Sequence, residues 1–251
     1  MQIVKRTLDI LEASLKLKDG FTLADLAGMT GLTIDTVRRY VATLTERGYL
    51  YQQERGGSYS LGIEVLKFNN AAGTSVILKE RAFPFLKTLC EEIAETVHMA
   101  VLDGTEAVCI AVIPNKGIMF QVVQDEGSRF PLHATSLGKI LLAYLPDEKI
   151  ENILNSISLR AYTNNTITDI ASLKREIENI RHDSVSFDDE EYEIGLRSAA
   201  APIKGEDGHA LAGIAFLGIS LRISNLKMKQ LAPFVKNTAL EISRLLGYKG
   251  E

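Results

Sequence analysis

The stretch FTLADLAGMTGLTIDTVRRYVATLTERGYL, residues 21–50, decides how this chain is read. It holds two helix signals separated by a turn. Thr22 stands at an N-cap position and Asp25 follows three residues later, the spacing of a capping box, with Leu23, Leu26 and Ala27 on the inward side. Met29-Thr30-Gly31-Leu32 makes the turn, where Gly31 is free to take the positive φ of a sharp helix–helix junction. Thr33 caps the next helix, which runs to about Arg47 and is stopped by Gly48. Ile34, Val37, Val41 and Leu44 form its apolar stripe, expected to pack inward, so Thr36, Arg38, Arg39, Tyr40, Thr43 and Arg47 take the remaining faces. A short helix with Arg and Thr crowded near its start suits a DNA major groove. Arginine reaches guanine edges bidentately or neutralises phosphate, and threonine suits phosphate or the thymine methyl.

Working outward, a preceding helix is predicted over Val4 to Leu17, with Leu8, Leu11 and Leu15 on one stripe. After Gly48, Tyr49-Leu50-Tyr51 and Ser58-Tyr59-Ser60-Leu61 read as a two-stranded hairpin with Gly56-Gly57 in its turn and Arg55 near its tip. A hairpin behind such a helix is a wing. The candidate DNA-contacting residues are therefore Thr33, Thr36, Arg38, Arg39, Tyr40, Thr43 and Arg55. The bland alternative is a helical scaffold that contacts only protein. Charge does not decide between them. The net charge is −4, and residues 1–62 hold eight Lys/Arg against seven Asp/Glu.

From Gly62 to Val97 the pattern is mostly helical, weak over Asn69 to Ser75, with Pro84 marking a kink or a first turn. We expect residues 63–80 to be a linker helix between a DNA-binding domain at 1–62 and a second domain at 81–251. In that second domain, strands are predicted at His98 to Leu102, Val108 to Ile113, Ile118 to Val123, Leu196 to Ile203 and Ala210 to Ile219. Helices are predicted at Thr135 to Leu145, Asp147 to Ile157, Thr168 to His182 and Asn225 to Leu246. This order points to an α+β domain with an antiparallel sheet flanked by helices. No apolar run is long enough to span a membrane and MQIVKRTLDI is not a signal peptide, so a cytoplasmic protein is expected. Cys90 and Cys109 lack partners at metal spacing and read as reduced, buried thiols.

Asp188-Asp189-Glu190-Glu191 invites a metal or acid/base reading, but four adjacent carboxylates cannot all face one ion from a regular element. A solvated turn with one inward Asp is the expectation. His98 and His133 have no nucleophile or orienting acid at a recognisable spacing, and His98 reads as a pocket or core residue with satisfied hydrogen bonds. Ser136 in Ser-Leu-Gly-Lys matches neither a nucleophile elbow nor a phosphate loop and reads as a helix start. No catalytic, metal or cofactor site is expected.

TLDILEA, the 21–50 stretch, YSLG, ETVHMAVLDG, PLHATSLGKILLAYLP, FDDEEYEIGLRSAAAPI and the closing ALEISRLLG, taken in this order, resemble the IclR family of bacterial transcriptional regulators from end to end. The resemblance implies an N-terminal winged helix-turn-helix, a linker helix and a C-terminal GAF-like effector domain. It implies dimers, often paired into tetramers, on palindromic double-stranded operators, with a small organic acid as effector. Carried across position by position, the family's effector pocket falls on Met119, Val122, Phe130, Ser136, Leu137, Asp188, Ser198, Ala215 and Leu217. Members that sense small keto acids carry hydroxyl-bearing residues where this chain has Ala215 and Leu217, which points to a larger or more apolar ligand. Arg197-Ser198 before the small-residue run resembles the branch that regulates aromatic-acid breakdown through protocatechuate and β-ketoadipate. A keto or sugar acid is the alternative ligand. An enzyme or binding module with a protein-contacting N-terminal part is the alternative class.

Overall fold

The chain folds as two units, Met1–Val76 and Ile77–Glu251. The computed structural model describes residues 2–17, 20–52, 57–65, 74–117 and 124–250. The N-terminal unit contains α1 (Gln2–Leu15), α2 (Leu23–Thr30), α3 (Ile34–Glu46), the hairpin strands β1 (Leu50–Gln52) and β2 (Tyr59–Leu61), and a 3-10 turn at Ile63–Val65. The capping box is made: Thr22 Oγ1 accepts from Asp25 N at 3.3 Å, and Asp25 Oδ2 accepts from Thr22 N at 2.8 Å. Gly31 ends α2 at φ 67° and Thr33 caps α3. Val37, Val41 and Leu44 meet Ile10, Ala13, Phe21, Leu26 and Leu50 in a small core.

One inward assignment, Ile34, is corrected, and the stripe of α1 is placed. Leu8 and Leu15 are exposed, because α1 turns Ile10 and Ala13 toward the core and of its leucine stripe only Leu11 packs against it. Ile34 is exposed too, since as the first residue of α3 it stands off the edge of the buried stripe. Phe21 and Tyr59 exchange both backbone hydrogen bonds, at 2.9 and 2.7 Å, extending the hairpin ladder to the start of α2. The chain leaves the wing through Gly62, whose N–H donates to Tyr49 O at 2.8 Å. A Cβ on Gly62 would lie 2.0 Å from Gly48 O, so only glycine permits this approach to the end of α3. Arg55 and Gly56 lie outside the described residues.

The C-terminal unit takes in all but the first three residues of α4 (Thr74–Ile93, with Pro84 inside it), then β3 (Thr96–Asp103), β4 (Glu106–Ile113), β5 (Arg129–Pro131), α5 (Ser136–Ala143), α6 (Asp147–Ser156), α7 (Ile170–Asp183), β6 (Ser186–Asp189), β7 (Leu196–Lys204), β8 (Ala210–Ile219) and α8 (Asn225–Leu245). The strands form one antiparallel sheet in the order β5-β4-β3-β8-β7-β6. Successive strand residues face opposite ways. Val97, Met99, Ile214 and Phe216 therefore join a core with Leu86 and Leu89 of α4 and Val235 and Ile242 of α8. Ala100, Ala200 and Ala215 face the other way, against Ile140 and Leu141 of α5 and Leu173 and Ile177 of α7. The small residues on that side let α5 lie close to the sheet, and every residue of α5 is buried. The architecture is α+β, with an N-terminal helix-turn-helix and a sheet flanked by helices.

Two strands are additional to the sequence reading, β5 and β6; the one expected at Ile118 to Val123 lies outside the described residues. Cys90 and Cys109 are free and buried. Among the described residues no helix is long and apolar enough to cross a membrane, and no His/Cys/Asp/Glu group is arranged to hold a metal ion.

Candidate functional site

The first candidate site is the outer surface of α3. With Val37, Val41 and Leu44 turned inward, helical periodicity leaves Arg38 and Arg39 on either side of the exposed face. Both are exposed. Arg38 is drawn to Asp35, one turn back, at 2.9 Å, a solvated pair of little energetic weight. Arg39 has no ion pair among the described residues. Thr33 Oγ1 and Thr36 Oγ1 lie 2.9 Å apart at the helix start, and Thr43 Oγ1 donates to Arg39 O at 3.2 Å. Tyr40 is half-buried against the core. The surface thus presents one free guanidinium, one lightly held guanidinium and a run of hydroxyls, the groups that contact phosphates and base edges.

The second candidate site is a cavity between α5 and the sheet. Across β6, β7 and β8, Asp188 lies opposite Ser198 and Ser198 opposite Leu217. In the next row Ala200 lies opposite Ala215, and Ala215 opposite His98 of β3. Above these rows sits the start of α5. Phe130, Ser136, Leu137, Asp188, Ser198, Ala215 and Leu217 all line this cavity. Met119 and Val122 lie outside the described residues. The sequence reading did not place Gln124, Thr135, Tyr192, Glu193, Leu196 or Phe216 there, and left His98 between pocket and core; all seven line it as well.

The polar groups of this cavity are tightly organised. Thr135 caps α5 by accepting from Gly138 N at 3.0 Å while its hydroxyl donates to Pro131 O. Ser136 and Ser198 bring their hydroxyls to 2.6 Å, and Ser186 donates to Ser136 O at 2.7 Å. Two hydroxyls sharing one hydrogen bond keep one hydrogen for a ligand. These groups sit at the N-terminal, electropositive end of α5.

Asp188 is buried and accepts from Glu191 N at 2.8 Å. Burial raises its carboxyl to about 7, against the backbone N–H groups and the Lys139 ammonium that favour its ionised form. His98 corrects its expectation. It is 1% exposed, and its Nε2 has no hydrogen-bond partner. Burial lowers its pKa to about 4, so the ring is neutral near pH 7. An unsatisfied buried polar group costs about 1–3 kcal/mol.

The acidic run is also corrected. It is a strand end followed by a tied-down turn, and two of its carboxylates point inward. Glu191 is buried and meets Lys139, itself 1% exposed in the middle of α5, at 2.5 Å. Asp189 and Glu190 both pair with Arg197, at 2.6 and 3.0 Å. Thr163 and Thr166 donate to the carbonyls of Glu190 and Glu191 at 2.7 and 2.6 Å. Arg197 thus holds the loop, while its neighbour Ser198 faces the cavity.

Two family models match the chain: "IclR helix-turn-helix domain" over residues 3–54 and "Bacterial transcriptional regulator IclR C-terminal" over residues 71–244. The Transcriptional repressor IclR of Escherichia coli (strain K12) is 31% identical, over 98% of this chain and 90% of that one. Among solved structures, the Thermotoga maritima IclR superposes with a TM-score of 0.83 at 27% identity, covering 99% of this chain and all of that one. The inducer-binding domain of the PobR transcription factor from Acinetobacter, a double mutant in complex with 3-hydroxybenzoic acid, gives a TM-score of 0.60 at 29% identity, over 64% of this chain and 95% of that one.

Proposed function

This chain belongs to the IclR family of transcriptional regulators, and from that premise we propose that it is a DNA-binding regulator of catabolic genes whose signal is a small organic acid of aromatic-acid metabolism. It is an IclR-type regulator with a C-terminal effector-binding domain. The observation that carries the choice of ligand is the build of the cavity: hydroxyls and a helix N-terminus at one side, and Ala215 and Leu217 along its floor. A carboxylate suits the first part. The apolar floor favours a ring over a short keto acid, which would leave it unfilled. The PobR domain, similar over most of its length and complexed with a hydroxybenzoic acid, supports the same reading.

In this proposal residues 1–62 bind DNA, 63–80 connect, and 81–251 sense. Thr33, Thr36, Arg38, Arg39, Tyr40 and Thr43 contact the operator. Two chains pair to place two copies of α3 in successive major grooves of a palindromic site. The effector shifts the balance between two arrangements of the dimer by its difference in affinity for them, typically about 1–3 kcal/mol.

The test is a thermal-shift series with benzoate, hydroxybenzoates, β-ketoadipate, pyruvate and a sugar acid, followed by DNA binding with each hit. A ligand at a hundred times its Kd adds about 2.7 kcal/mol and raises Tm by degrees. Stabilisation by aromatic acids, with altered affinity for duplex DNA from upstream of the gene, is the expected result. Stabilisation by pyruvate alone would overturn the aromatic reading. Binding to duplex that does not weaken with salt would overturn the DNA-binding one.

A further inference from the structure

His98 is the one buried side chain at the cavity that asks for a partner and has none. It makes no hydrogen bond among the described residues, and its Nε2 is sealed from solvent. The other buried polar side chains of the cavity are spoken for: Ser136 by Ser198, Thr135 by Gly138 and Pro131, Asp188 by Glu191. His98 also sits at the far side of the cavity floor from the serine pair. Ser198 on β7 and His98 on β3 are separated by β8, and their rows are offset by two residues along the strands. With strands ~4.8 Å apart and ~3.4 Å per residue, their Cα atoms are roughly 12 Å apart. Ala215, a short side chain, stands beside His98 in the row between them and lines the cavity. A short keto acid cannot touch both poles. A single ring with a polar group at each end spans them.

We infer that His98 is a specificity-determining residue that hydrogen-bonds, through Nε2, an uncharged second polar group on the effector, a ring hydroxyl, at the end opposite the carboxylate. This rests on the aromatic-acid reading above and deepens it: the effector class becomes hydroxylated aromatic acids. A buried neutral imidazole presents one donor or one acceptor according to tautomer, and a phenolic hydroxyl satisfies either. An apolar ring edge satisfies neither and leaves Nε2 as unpaired as it stands. A site built around a buried polar group discriminates strongly against the analogue that lacks its partner.

The experiment is calorimetric titration of the full chain with benzoate, 3-hydroxybenzoate and 4-hydroxybenzoate, in wild type and His98→Phe. We expect at least one hydroxybenzoate to bind wild type tenfold or more tighter than benzoate. Within the His98→Phe variant that preference should vanish, so that hydroxybenzoate and benzoate bind it within about twofold of each other, whatever the shift common to both. Should His98→Phe fail to fold, the ¹⁵N-histidine spectrum of wild type decides, and with four histidines it is simple to assign. The His98 Nε2 resonance should move with the hydroxybenzoate and stay in place with benzoate. Equal binding of all three acids, a preference that survives in His98→Phe, or an Nε2 resonance indifferent to the hydroxyl would overturn the role of His98 alone. No binding by any of the three would overturn it together with the aromatic-acid reading.

Discussion

In the N-terminal unit the polar side chains that matter stand outside the fold; in the C-terminal unit they stand within it. Arg38 and Arg39 are exposed on α3 and tied to the protein by at most one solvated ion pair. His98, Lys139, Asp188 and Glu191 are all less than a tenth exposed. An outer face is free to vary without touching the core beneath it. An interior site has to be built from the same side chains that hold its walls in place. The first unit should therefore separate binding from stability, and the second should couple them.

The largest test of that contrast is Lys139→Ala. It strands the Glu191 carboxylate in the interior, and breaking a buried pair from one side costs about 3–5 kcal/mol, read by denaturant unfolding. The double variant Lys139→Met/Glu191→Leu should recover much of the loss. If Lys139→Ala proves neutral, the interior is wetter than its burial implies and the contrast fails.

Next comes pH. The ordinary value for Asp188 is 3.8 and its folded value about 7, so between those limits only the folded chain keeps the proton. Stability contributed by this group therefore falls as pH rises from about 4 to about 7. His98 acts oppositely. Between about 4 and 6.5 only the unfolded chain takes up its proton, so its contribution rises with pH. Asp188→Asn should remove the falling component and make Tm climb more steeply over that range. The window of about three pH units caps the change at about 4 kcal/mol. A Tm profile identical to wild type would mean that Asp188 is ionised in the fold.

Smaller again is Arg39→Ala. It should weaken operator binding by about 1–3 kcal/mol if Arg39 reads a base, or reduce the salt slope by about 1 if it neutralises phosphate, in a fluorescence-anisotropy titration. Its unfolding free energy should stay within about 0.5 kcal/mol of wild type. A matching loss of fold would erase the distinction between the two units. The smallest expected effect is Thr22→Ala, which removes a capping box and should cost about 1 kcal/mol by thermal unfolding with the operator Kd at the remaining folded fraction unchanged.

The same contrast explains what could be read from the residues alone. Helix starts in the N-terminal unit announce themselves locally, through Thr22 with Asp25 and through Thr33, and the outer face of α3 follows from where its valines point. Leu8 and Leu15 share a stripe with Leu11 and still lie exposed, because apolar spacing marks a stripe without saying which side is covered. In the C-terminal unit β6 was hidden: Ser186 and Asp188 are its inward residues, and polar residues at inward positions erase the alternation that reveals a strand. The cavity residues carried over by resemblance share one cavity wherever they are described. Tyr192, Glu193 and Leu196 were missed because a loop tied down by Arg197, Thr163 and Thr166 brings them there, and those ties span long stretches of sequence. His98 did leave a signal, a lone polar residue on the inward face of an apolar strand, which reads equally well as ordinary core until its empty nitrogen is seen.

The tight passage at Gly62 has a practical corollary for anyone transplanting this reading head onto another sensor. The backbone there is wedged against Gly48, just past the C-terminal end of α3, with no space for a side chain. A splice made at or before Gly62 would put foreign residues into that wedge and skew the very helix being borrowed. Cutting after Val65 keeps the glycine, its bond to Tyr49 and the 3-10 turn as an intact collar, and a chimera built that way should inherit the operator preference of its donor.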